Sequence, residues 1–287
     1  MIDKVIFGCG YLGRRVAHAC LRQGAPVTGV VRTLSSAAAL RAAGIPSLVL
    51  DLDQPLTSPL MLQDRELFYF APPPRQGTEE TRVRRLIASF AQYGMPRRLV
   101  YLSTTGVYGD CAGAWVDETR TANPQVDRAR RRWSGEQQFR AWSRASGGEL
   151  VILRVAGIYG PGKLPLARLQ RGEPTVQESE APYTNRIHID DLVQVCLAAM
   201  ARGGDGEVYN VSDGAPGNMT DYFNRVADWA GLPRPPQISL AEAQLQLSAG
   251  MLSYLQESRR LDSRKLQREL GVELRYPDLV SGLEGCR

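Results

Sequence analysis

Short apolar runs recur along the chain, and most are followed by a stretch with helical spacing of its apolar positions. The apolar runs lie at residues 2–7, 27–31, 47–50, 66–70, 99–103, 150–155 and 207–211. The helical stretches lie at about 14–23, closed by Gly24, then in an Ala-rich segment to about Ala43, and at 78–93, roughly 125–145 and 190–201. Strand followed by helix with short links predicts an α/β fold, a doubly wound and mostly parallel sheet with helices on both faces. In such sheets ligands sit beyond the carboxyl ends of the strands. The first candidates for chemistry are therefore the residues just after the apolar runs: Gly8–Gly13, Arg32, Asp51, Ala71–Pro74, Ser103–Thr105 and Gly157–Gly162. After about residue 160 the rhythm changes and proline and glycine become frequent, which predicts a smaller, mostly helical C-terminal lobe over 212–287.

Composition narrows the class. With 287 residues, 43% apolar and 23% charged, the chain has enough material for a sizeable core. No run of about 18 apolar residues occurs, so no transmembrane helix is expected. The first residues run straight into the first strand without a signal-peptide pattern, and the protein is read as cytoplasmic. The five cysteines, Cys9, Cys20, Cys111, Cys196 and Cys286, are scattered, and there are only two histidines, His18 and His188. Neither a disulfide framework nor a metal site is expected. The net charge is +5 and almost all of the positive charge is arginine, spread along the whole chain. That spread speaks against nucleic acid as a partner. The run Arg128-Ala129-Arg130-Arg131-Arg132 reads either as a solvated helix face or as an anion site.

Gly8-Cys9-Gly10-Tyr11-Leu12-Gly13 fits G-x-G-x-x-G, after an apolar strand and before a helix. In that setting Gly8 allows the tight turn, Gly10 lets the backbone approach a pyrophosphate, and Gly13 lets the helix lie close to the strand. The helix N-terminus offers free N–H groups to phosphate. A dinucleotide is thus the expected cofactor, in a Rossmann-like core. The second strand normally ends in an acid when NAD is bound, whereas here it ends Val30-Val31-Arg32-Thr33. Arginine pairs with a 2′-phosphate, so NADP is favoured over NAD; the alternative is that Arg32 stacks on the adenine. Tyr11, Leu12, Asp51, Leu52, Ala71, Pro72 and Ser103 complete the expected cofactor contacts, Asp51 and Leu52 at the adenine edge.

Ser103-Thr104-Thr105-Gly106-Val107-Tyr108-Gly109 resembles a segment of the extended short-chain dehydrogenases/reductases, the NAD-dependent epimerase/dehydratase family. Ile158-Tyr159-Gly160-Pro161-Gly162, Arg186-Ile187-His188-Ile189-Asp190-Asp191 and Val208-Tyr209-Asn210-Val211 follow in the family's order. The resemblance spans nearly the whole chain. It implies a dinucleotide core at 1–159 and 185–211, and a substrate lobe from 160–184 and 212–287. Glu257-Ser258-Arg259-Arg260 and Glu269-Leu270-Gly271 resemble the ending of a bacterial subgroup without an assigned substrate. Relatives often pair through helices flanking the catalytic residues. The arginines of the 125–145 helix weaken that transfer, and a homodimer stays open.

The resemblance also implies a Ser/Thr–Tyr–Lys set. Thr104 matches the Ser/Thr. Aligning the Glu that follows the family's Tyr-x-x-x-Lys with Glu136 puts Arg128 where tyrosine belongs and Arg132 where lysine belongs. The loss does not depend on that alignment, because no lysine lies between Lys4 and Lys163 and no tyrosine between Tyr108 and Tyr159. Arginine is a poor proton carrier but binds anions well. Thr104, Arg128 and Arg132 are the expected catalytic residues; Thr105, Tyr108, Tyr159 and Arg186 are the expected substrate residues. Tyr108, Tyr159 or Tyr183 could supply a replacement proton donor. Sugar-nucleotide relatives carry a phosphate-binding arginine four residues before the histidine of the Arg186–Asp191 segment, where this chain has Thr184. His188 reads as structural and Arg154 as fixing a loop. Two functions follow: an NADP(H)-dependent oxidoreductase or epimerase of a small polar or sugar-type metabolite, or a non-catalytic NADP-binding sensor or scaffold.

Overall fold

The computed structural model describes residues 2–56 and 61–287. Seven strands form the central sheet: β1 Lys4–Phe7, β2 Val27–Val31, β3 Ser47–Val49, β4 Glu66–Tyr69, β5 Arg98–Thr104, β6 Glu149–Val155 and β7 Val208–Val211. Their order is β3-β2-β1-β4-β5-β6-β7 and every neighbouring pair is parallel. The order reverses between β1 and β4, which opens a crevice at their carboxyl ends. The helices are α1 Tyr11–Arg22, α2 Leu34–Ala42, α3 Thr81–Tyr93, α4 Asp127–Ser146 and α5 Ile189–Arg202. The strands and helices expected of the sheet are all present, with ends shifted by a few residues. Helix α1 starts at Tyr11 rather than near Arg14 because the second half of the Gly-rich turn is already helical, and α3 starts at Thr81 rather than at 78.

Both faces of the sheet are buried, as an all-parallel sheet requires. Alternate residues of each strand point to opposite layers. Ile6, Val100, Leu102, Val151 and Leu153 pack with Val16, Ala17 and Cys20 of α1 and with Leu192, Val195 and Cys196 of α5. Val5, Phe7, Leu99, Tyr101, Leu150 and Ile152 pack with Val83, Leu86 and Phe90 of α3 and with Phe139 and Trp142 of α4. All five cysteines are free.

Beyond the sheet, helix α6 Met219–Ala230 anchors a separate apolar cluster with Leu169 and Leu283. The segment after it straps back onto the core. Arg260–Leu261 pairs in parallel with Trp115–Val116, Ser258 N–H donates to Asp110 Oδ1 at 2.9 Å, and Arg259 Nη1 donates to Gly109 O at 2.6 Å. Leu266, Leu270 and Val272 then join the layer of α1 and α5. These ties bring residues near 250–260 over the loop that follows β5.

Candidate active site

The glycine turn is shaped by contacts a side chain would destroy. Gly8 has φ +79°, and a Cβ there would lie 2.5 Å from the Ala71 backbone N. A Cβ on Gly13 would meet Gly8 O at 2.9 Å and Ile6 Cγ2 at 3.1 Å, so this glycine seats α1 on β1. Gly10 differs: a Cβ there would find nothing closer than Gly8 O at 4.0 Å. Gly10 is also the N-cap of α1, without a side-chain cap and with no acid in the first turn. The N–H groups of that turn are open to an anion. The turn thus fits a pyrophosphate. The Leu12 side chain sits in the core, so only its backbone faces the turn. Tyr11 donates its hydroxyl to Pro161 O at 2.9 Å, with Arg15 over its ring at 4.1 Å.

Beside the turn a groove of about 690 Å³ runs between α1 and α2, lined by Gly10, Arg14, His18, Val31 and Ser36. Arg32 is exposed at the end of β2. The acid nearest in the chain beyond Asp51, Asp53, is committed to Arg82 at 2.8 and 2.5 Å. Asp51 accepts from Asp53 N–H at 3.0 Å, and Leu52 is buried with its carbonyl bound to Arg85. Arg82 also donates to Pro72 O at 2.7 Å, fixing the proline wall after β4. Arg14 was not among the expected residues. Its place one residue past the fingerprint, with Arg32 after β2, was the available signal.

At the carboxyl ends of β5 and β6 lies a cavity of about 540 Å³. Thr104, Thr105, Arg128, Arg132 and Arg186 all line it, as expected, and so does Ser103. Thr104 Oγ1 accepts from Gly106 N–H at 3.3 Å, leaving its own proton to donate. Arg132 donates to Ala71 O at 3.1 Å, which links the cavity to the wall against Gly8. Arg186 lies over the Tyr222 ring at 4.1 Å. Arg128 is held by helix Ala249–Leu255: it donates to Ser253 Oγ and, at 3.3 Å, to Ser253 O, and stacks on Tyr254 at 4.0 Å. Glu257 stands 3.8 Å from Arg128 and is bound by Arg259 at 2.8 Å.

Two expectations need correction. Tyr108 does not reach the cavity: it is 1% exposed, donates to Asn210 Oδ1 at 2.7 Å, and burial pushes its phenol up to about 12. Tyr159 is fully buried, donates to Asp278 O at 3.3 Å, and packs edge-on to His188. Ser103 lines the cavity and donates its hydroxyl to Glu136 Oε1 at 2.5 Å. Glu136 in turn binds Arg154 at 3.1 and 2.8 Å, and Arg154 lies over the Tyr108 ring at 4.7 Å. This buried network fixes the loop after β5. His188 is buried and caps α5 through Nδ1, which accepts from Asp190 N–H at 3.3 Å, and burial lowers its pKa.

The missing residues came from the C-terminal segment. Met219, Phe223, Met251 and Tyr254 line the cavity together with Glu257 and Arg259. Glu257 and Arg259 belong to the Glu257–Arg260 motif, which marked a subgroup without showing where it folds.

Under the site, Glu80 is fully buried, its Oε2 has no hydrogen-bond partner, and burial lifts its carboxyl to about 7 against the pull of Arg132. Such a carboxyl favours folding while protonated. Its contribution is complete below its ordinary value near 4.5 and is lost as pH rises through about 7. Glu80→Gln is therefore expected to flatten the fall in Tm between pH 5 and 8. An unchanged slope in thermal scans would remove Glu80 as the source.

The sequence profile of NAD-dependent epimerases/dehydratases matches residues 78–212. A solved structure from Silicibacter pomeroyi, of a conserved protein of unknown function, is 33% identical with a TM-score of 0.84, covering 100% of this chain and 98% of that one. The chain belongs to the NAD-dependent epimerase/dehydratase family. This is the extended short-chain dehydrogenase/reductase type. Protein YeeZ of Escherichia coli (strain K12) is 29% identical over an alignment of 295 residues that covers 99% of this chain and 100% of YeeZ. The UDP-glucuronic acid 4-epimerase of Bacillus cereus, solved with UDP-glucuronic acid and NAD, shares the fold with a TM-score of 0.78 at 18% identity, covering 99% of this chain and 98% of that one. Among the described residues no helix is long and apolar enough to cross a membrane, and no metal-binding cluster occurs.

Proposed function

We propose that this family member is an NADP(H)-dependent oxidoreductase or epimerase of a small anionic or sugar-type metabolite, working without the family's Tyr-x-x-x-Lys pair. The supporting observation is that Thr104, Arg128, Arg132 and Arg186 line one cavity, and that Arg132 donates to the carbonyl of Ala71, the residue packed against Gly8 of the glycine turn. When bound, the dinucleotide supplies or removes a hydride. Gly8, Gly10, Gly13 and the first turn of α1 would hold its pyrophosphate, and Arg14 and Arg32 its 2′-phosphate. Thr104 would orient the reacting oxygen. Arg132 and Arg186 would bind negative charge on the substrate, because four arginines and one carboxylate face the cavity. Thr184 at the usual arginine position disfavours a nucleotide sugar.

Calorimetric titration with both dinucleotides, followed by a metabolite screen, tests this reading. NADP is expected to bind more tightly than NAD, and Arg32→Ala to remove about 1.5–3 kcal/mol of that preference, the range for a charge-assisted bond. Equal affinities in the unmutated protein would sink the 2′-phosphate role. Tight NADP binding with no turnover across the screen would favour the sensor or scaffold reading instead.

A further inference from the structure

Among the described residues, two tyrosines line the cavity, Tyr183 and Tyr254. Neither lies between Tyr108 and Tyr159, where the family's proton-transfer tyrosine falls. The Tyr183 ring packs on Arg260 at 4.8 Å, and it crowds Gly113, where a Cβ would come within 3.2 Å. Tyr254 is tied to Arg128 instead. Arg128, the residue standing in the position of the missing tyrosine, grips Ser253 and lays its guanidinium over the Tyr254 ring at 4.0 Å. Helix Ala249–Leu255 is held at the cavity by this grip together with Met251 and Leu255, which pack on the lobe's apolar cluster. The phenol is returned to the site from a distant part of the chain.

We propose that Tyr254 is the catalytic proton donor and acceptor of this protein, and that Arg128 is the positioning residue that holds it against the cavity that Thr104 also lines. The proposal rests on the enzyme reading above. In the reducing direction the substrate carbon receives the hydride that the reduced dinucleotide supplies, the carbonyl π bond opens, and the oxygen takes the proton of the Tyr254 hydroxyl. The carbonyl is reduced to an alcohol and the dinucleotide is oxidised. The phenolate regains a proton from water, which Tyr254 reaches directly because it is 52% exposed. Thr104 donates a second hydrogen bond to the same oxygen, and the guanidinium of Arg128 faces the ring while negative charge resides on it. Proton transfer thus runs through a residue on the lobe rather than on α4.

The probe is 4-carboxybenzaldehyde, an aryl aldehyde whose carboxylate suits the arginines. Reduction with NADPH is followed at 340 nm, and the carbonyl stretch of the bound aldehyde is recorded by infrared spectroscopy in the complex with NADP, where no reduction can occur. Tyr254→Phe is expected to slow reduction by about 10²–10⁴-fold, the usual worth of acid–base help, with unchanged NADPH affinity. It should also move the carbonyl band back to higher frequency as the hydrogen bond is lost. Tyr183→Phe is measured beside it, and if that variant carries the larger loss of rate together with the band shift, the proton role belongs to Tyr183 and the proposal falls. Arg128→Met should reproduce part of both effects. A Tyr254→Phe protein that keeps its rate or its carbonyl band overturns the proposal and leaves the enzyme reading standing. Unmutated protein that binds NADPH but neither reduces nor polarises the aldehyde counts against the enzyme reading itself, and the role of Tyr254 goes with it.

Discussion

Gly10→Asp is expected to abolish dinucleotide binding while leaving the fold intact. The position has open space on its Cβ side, with the nearest atom 4.0 Å away, so the side chain itself is accommodated. What the change adds is a carboxylate at the uncapped N-terminus of α1, in the path of a pyrophosphate. Like charge and steric blockage act together there, and the loss should exceed the range of a calorimetric titration. Circular dichroism and Tm should stay close to those of the unmutated protein. Gly13→Val also removes binding, but for another reason: its Cβ would meet Gly8 O at 2.9 Å and push α1 off β1. Lost stability is expected in that variant and not in Gly10→Asp. Unchanged affinity in Gly10→Asp would disprove the assignment of this turn.

Glu136→Ala should be the most destabilising single change at the site, at about 3–5 kcal/mol, the usual cost of breaking one side of a buried ion pair. Glu136 is fully buried and Arg154 is 4% exposed, so the change strands a guanidinium without a counter-ion. It also frees the Ser103 hydroxyl. Replacing both members together, Glu136→Leu with Arg154→Met, should recover much of the loss, since no buried charge remains. Urea unfolding of the three variants measures this. A loss below about 1 kcal/mol in Glu136→Ala would class the pair with ordinary surface bridges.

The two changes probe layers of the site that differ in how far they can be read from sequence. The glycine turn is a local feature: strand, glycines and helix are contiguous in the chain, and their spacing alone demands the geometry found. The place of Arg32, just after β2, was equally legible, because the apolar run that ends before it marks the strand. Glu136 was visible only as a register mark. Its bonds to Ser103 and Arg154 join α4 to β5 and β6, and those three are brought together by the sheet order.

By itself the sequence determined the doubly wound fold, the dinucleotide turn, and the absence of a tyrosine or lysine from the stretch where the family keeps its acid–base pair. These are properties of period, spacing and residue type, which act over a few residues. The tertiary structure alone decided which tyrosines face the cavity. Tyr108 and Tyr159 lie in suggestive motifs, yet the packing around them buries their rings. Tyr254 sits in a segment with little pattern, yet the ties of residues 257–261 to the loop at 109–116 carry it to Arg128. Contacts between residues more than a hundred positions apart depend on how the whole chain closes, and local spacing holds no record of them.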